Sequence, residues 1–231
     1  MKRAFAIACS ALLCGIFFAQ NLAAQNAAAF PDFTQTQGKH NRDGFPITGA
    51  TLCILGQKDL CYQMPSATSA DDAHVTQQFG LNPHAERYSV PGGGSWVLFS
   101  AMYYAGGSTS RTRLAMLRYQ SDGTAATIVN LLPDLVVTDI SDYDMWLVPQ
   151  ISPYPMLVDA DYFWDPTSTE PQSSPHNFNV TVWKFDPQQD HYVQAFTYRT
   201  TKKYLGGSRV SPTGVLRPER DEILLRLMPA R

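Results

Sequence analysis

Two carboxylates stand at alternate positions in an otherwise apolar stretch, Met156-Leu157-Val158-Asp159-Ala160-Asp161-Tyr162-Phe163. If this stretch is a β-strand, Asp159 and Asp161 project from one face, roughly 7 Å apart. Paired carboxylates can serve glycoside hydrolysis, and oxygen-rich groups suit calcium. His176, on the polar loop that follows with Asp165 and Glu170, would complete a catalytic set with Asp159 and Asp161. Calcium loops, however, carry Gly and closely alternating acids, whereas Tyr162, Phe163 and Trp164 fill the interval before Asp165. The plainer expectation is a solvated outer face bearing the two acids, with no metal, no cofactor and no catalytic residue.

Aromatic side chains are the second group able to do something specific. Tyr162, Phe163, Trp164, Trp183 and Tyr198 fall close together, with Trp146 and Tyr154 just upstream. Such rings supply large contact areas to a partner, but at alternating spacing they also fill the space between sheets. Most are therefore assigned to a core. Trp164, Asp165 and Tyr162 are kept as binding candidates, because Trp164 opens a long loop and precedes Asp165-Pro166. Asn179-Val180-Thr181 matches a glycosylation acceptor but falls within an expected strand. The sequence contains no Gly-x-Ser-x-Gly elbow, His-Glu-x-x-His pair, phosphate loop or dinucleotide fingerprint, and its histidines are scattered.

The elements that would carry these residues are legible as an internal repeat. Val97–Tyr104 lines up with Met156–Phe163 at an offset of 59, and Leu114–Tyr119 with Val180–Phe185 at 66. Ala126–Val129 then matches Val193–Phe196 at 67, so one loop has gained seven residues. Each unit reads strand, loop, strand, tight turn, strand, in about 95–132 and 154–200. The apolar faces, Val97-Phe99-Ala101-Tyr103 and Met156-Val158-Ala160-Tyr162, are assigned to the core.

The expected fold is mainly β: two repeated antiparallel three- or four-stranded meanders, blade-like or in a sandwich, with a short C-terminal helix. Residues 51–231 would form one β-rich domain, behind a loose segment 25–50 whose Phe30, Phe33 and Phe45 pack onto it. A short helix is predicted over Asp71–Phe79, with Ser69 as cap and Gly80 as stop. Pro218 at a first helical position, Glu219 early and Arg226 late predict the closing helix.

The N-terminus reads as an export signal, residues 1–24. Lys2 and Arg3 precede an apolar run from Ala4 to Ala19, and small residues end at Ala24, with Ala29 as second choice for cleavage. The run is short for a bilayer core, which wants about 20 residues. A lipidated Cys14 would need smaller residues than Leu12 and Leu13 before it. Removal of the signal takes 2 of 18 basic and none of 20 acidic residues, leaving 16 against 20 and a net charge of -4. It also leaves only Cys53 and Cys61, which in an oxidising compartment form one disulfide worth roughly 2–3 kcal/mol.

Charged residues make up only 16% of the chain and form no basic cluster, which argues against nucleic-acid binding. Hydrophobic residues make up 44%, enough to build a core. The combined expectation is an exported protein, periplasmic or extracellular, with no membrane span after cleavage. It would bind an envelope or secreted protein or a glycan, in an inhibitory or protective role, rather than catalyse. The alternative is a secreted hydrolase acting on glycan or peptide through Asp159 and Asp161, with His176.

Overall fold

Alternating and β-branched segments, separated by Gly, Pro, Asn and Asp turns, become antiparallel strands wherever a neighbouring sheet can cover their apolar face. The computed structural model describes residues 28–68, 74–104, 110–138, 141–163, 167, 169, 171, 174–205 and 214–228. The expected signal at 1–24 lies outside them, as do Asp71 and Asp72 of the predicted short helix.

The first sheet contains β1 (Phe33–Thr36), β2 (Thr51–Ile54) and β3 (Cys61–Gln63) in that order. Cys53 and Cys61 are directly opposite one another across β2 and β3 and form a disulfide. Gly56, at φ +80°, makes the turn between them. The segment 25–50 thus contributes a strand. Phe30 is fully buried and Phe33 partly buried, whereas Phe45 remains 41% exposed.

A two-strand pair follows, β4 (Ala67–Thr68) with β5 (Thr76–Gln77). This corrects the predicted helix: Thr76 and Gln77 are extended, and Phe79 enters the core. Pairing with β4 outweighs the local helical signal, which is weak over so few residues.

The central sheet holds β6 (Leu81–Val90), β7 (Gly94–Tyr104), β8 (Ser110–Ser121), β9 (Ala126–Asn130) and β10 (Leu135–Thr138). Strand β8 pairs with β7 along one edge. Its other edge is divided between β10, at Arg111–Leu114, and β9, at Leu117–Ser121. The third sheet is a four-stranded meander of β11 (Asp142–Trp146), β12 (Met156–Tyr162), β13 (Phe178–Asp186) and β14 (His191–Arg199). The helix α1 (Leu216–Leu227) closes the described chain. Among the described residues the protein is mainly β, with antiparallel meanders and one short C-terminal α-helix, as expected.

Three apolar cores alternate with these layers. Val97, Phe99, Ala101 and Leu117 of the central sheet pack with Leu52 and Ile54 of the first and with Phe30, which precedes β1. On its other face, Trp96, Leu98, Leu114 and Met116 meet Met145, Leu157, Phe185 and Tyr192 of the third sheet. The far face of that sheet, with Met156, Val158, Val180 and Val182, is covered by Leu216 and Ile223 of α1. The central sheet is therefore covered on both faces, which is why β7 is buried continuously from Gly94 to Ala101.

The two meanders follow the repeated strand order, but the residue-by-residue match is one position out. Val97 lies opposite Leu117 in the central sheet, whereas their sequence counterparts Met156 and Trp183 are not opposite each other: Leu157 faces Trp183. A slip of one residue exchanges faces. Met156 accordingly packs beneath α1, while Trp183 packs against the core between the sheets.

The helix also differs from expectation at its start. It begins at Leu216, so Pro218 is third rather than first, and Val215 before it has no capping side chain. Asp142, from β11, takes that role: its Oδ2 accepts the backbone N–H groups of Val215 and Leu216, each at 3.0 Å. Burial pushes the Asp142 carboxyl up, with Asp144 adding to this and the two N–H donors opposing it.

Candidate functional site

Strand β12 places Asp159 and Asp161 on its face toward the central sheet, not on an outer face. The expectation of a solvated face therefore fails: Asp159 is 4% exposed and Asp161 half-buried. The reason is the second covering layer, since the central sheet closes over the side of β12 that α1 does not. Asp161 lies at the end of the sheets where β10 finishes. Its Oδ1 accepts the Ser141 hydroxyl and, at 3.4 Å, the Thr138 hydroxyl.

Asp159 sits one pleat deeper. The Trp183 indole N–H donates to its Oδ1 at 2.7 Å. Tyr143 of β11 and Thr181 of β13 are its direct neighbours across the ladder. Burial raises its proton affinity to about 7; the Trp183 bond opposes this, and the charge of Asp161 adds to it. A carboxyl that releases its proton near neutrality is chemically suited to acid–base work, provided a substrate can reach it.

The facing side of the seam is polar as well. Ser100 of β7 is buried, interacts with Tyr143, and lies opposite His84 of β6. Glu86 and Tyr88 alternate with His84 on the same face of that edge strand, and the Tyr88 hydroxyl lies beside the Glu86 carboxylate. Burial, first, and the charge of Glu86 push both Tyr88 and Tyr143 upward. The seam thus joins Asp159, Asp161 and Tyr143 on one sheet to Ser100, Glu86 and Tyr88 on the other.

His176 is not brought to this group. It is buried, pairs through its backbone with Tyr204, and packs its ring against Tyr162 at 4.6 Å. Tyr162 points to the α1 side of β12, opposite to Asp159 and Asp161. The His176 Nε2 lies 3.0 Å from the Pro171 carbonyl oxygen and 3.2 Å from the Ser174 hydroxyl. Of the binding candidates, Tyr162 is half-buried in that core, and Trp164 and Asp165 lie outside the described residues.

Most of the other aromatics build cores, while Phe163 carries Arg199 over its ring at 3.4 Å. Trp96 stacks on Tyr154 at 5.3 Å and meets Phe185 edge-on at 4.7 Å. Trp146 donates to Asp144 at 3.0 Å and carries Arg220 over its ring at 4.7 Å. Tyr198 and Tyr204 both donate to the Glu219 carboxylate of α1. Asn179 lies within β13, in the row Asp161–Asn179–Arg199.

Among the described residues, no group of three or more His, Cys, Asp or Glu side chains is placed to hold a metal ion. Sequence reasoning missed Tyr143, Glu86 and Tyr88. Their only signal was alternation on strands whose pairing and facing sheet were unknown. No protein family, curated protein or solved structure matches the chain.

Proposed function

We propose that the chain is an exported, non-enzymatic binding protein of the bacterial cell envelope, recognising a protein or glycan partner in an inhibitory or protective role. One observation carries the preference for binding over catalysis: the two acids best suited to chemistry are engaged internally. Asp159 is held by Trp183 and nearly sealed, while Asp161 is held by the Ser141 and Thr138 hydroxyls. The Cys53–Cys61 disulfide agrees with an oxidising compartment. So does the N-terminal signal pattern, and cleavage after Ala24 would leave intact the contact of the Ala28 carbonyl with Ser95 N–H.

The test has two arms. N-terminal sequencing of protein recovered outside the cytoplasm should begin at Gln25; retention with Met1 intact would refute export. The folded protein, immobilised, should then enrich one component of an envelope extract in a saturable manner, and its reduced, unfolded form should not. The hydrolase reading draws on the Asp159 proton affinity near neutrality. It predicts release of products from envelope glycan or peptide that Asp159→Asn and Asp161→Asn each abolish. Such turnover would replace the binding proposal.

A further inference from the structure

Asp161 ties two sheets together at this seam and Asp159 lies buried beside it, an arrangement that depends on neither the compartment nor the partner. Asp159 is sealed between β12 and the central sheet, and Asp161 is two residues away on the same face. Asp161 is also the point where the third sheet is bonded across to the end of β10, through Thr138, and to Ser141. A charge appearing on Asp159 therefore arises where water is excluded, beside a like charge, and one pleat from the residue that ties one sheet to the other.

We propose that the seam between the central and third sheets is a proton-operated joint, closed while Asp159 is neutral and loosened at its Asp161 end when Asp159 ionises. Charged and titratable groups stand on the elements around it, with Arg111 of β8 directly opposite Thr138 of β10. Asp161 stands on its own strand, Tyr143 on β11, Arg199 on β14 in the row of Asp161, and His84, Glu86 and Tyr88 on β6. Trp183 on β13, Ser100 on β7 and Thr138 on β10 do not titrate in the accessible range. Asp144 points to the other side of β11 but adds to the negative field around Tyr88. Asp161 opposes a further negative charge on Asp159, and Arg199, exposed at the edge and lying over the Phe163 ring at 3.4 Å, is the cation in the row. Burial, then Asp161, holds the Asp159 proton to about pH 7, so the joint would work near neutrality.

The test is amide hydrogen exchange on the folded protein at pH 6 and pH 8.5, corrected for the intrinsic pH dependence of exchange, with tryptophan emission recorded alongside. The expected result is a loss of protection of about tenfold at the amides of β10 and the end of β12. It should be accompanied by an emission step centred near pH 7. Asp159→Asn, which keeps an oxygen for the Trp183 N–H but cannot ionise, should abolish both changes. Unchanged protection in the wild type, or the same change in Asp159→Asn, overturns the proposal. If Asp159→Asn does not fold, Asp161→Asn decides: removing the neighbouring charge should lower the midpoint of the emission step, and an unmoved midpoint overturns the joint.

Discussion

At Asp159 the structural and chemical roles pull against each other, and pH decides between them. Its folded-state proton affinity is raised from 3.8 to about 7, so the folded protein holds a proton that the unfolded chain gives up. Stability should therefore be highest in this respect below about pH 4 and should fall as pH rises toward 7. Above that, both states are ionised and the curve flattens. The fall is on the order of 4 kcal/mol, taking about 1.4 kcal/mol for each pH unit between 3.8 and about 7. Urea denaturation across pH 4.5–8 should show this slope in the wild type and lose it in Asp159→Asn. Cys53→Ser with Cys61→Ser should cost roughly 2–3 kcal/mol, read in the same way at one pH. Gly49 has less latitude, since a Cβ there would lie 1.9 Å from the Met64 carbonyl oxygen. Gly49→Ala should cost about 3 kcal/mol or prevent folding, because backbone rather than a movable side chain is in the way.

Elements are joined here mainly by side chains from distant strands. Asp142→Ala should destabilise by about 1–2 kcal/mol and release the amides of Val215 and Leu216 to exchange, with the sheets less affected. Arg118 of β8 reaches Asp190, in the turn between β13 and β14, through two hydrogen bonds of 2.5 and 2.6 Å. Asp190 is 59% exposed at its side chain, so Arg118→Ala should cost no more than about 1 kcal/mol, and less in high salt. These ties also mark the limit of what the sequence disclosed. Strand order in both meanders, the disulfide and a terminal helix were legible because alternation, cysteine spacing and turn residues are local signals. The cap from Asp142 and the partners of Asp159 were not, because each depends on the register of strands far apart in the chain. The register itself was misread by one residue. Both faces of β7 and part of β12 are buried, so hydrophobicity no longer distinguishes one face from the other.

For the molecule as a whole, the decisive property is the alternation of sheets and cores. A chain with one repeated apolar face suggests a single interior, yet here three interiors are separated by two sheets and closed by a helix. Stopping the chain before Leu216 should therefore uncover Met156, Val158, Val180 and Val182 without touching the core between the sheets. Dye binding by the shortened protein, with the near-ultraviolet signal of the Trp96–Tyr154 stack retained, would confirm that division. Collapse of both signals would show that the layers are not independent. The borrowed cap has a consequence for the order of events. Twelve residues with no cap of their own make at best a marginal helix in water. α1 thus acquires its shape only once β11 and Glu219's tyrosine partners are in place, so this helix acts as a seal that certifies the finished body beneath it.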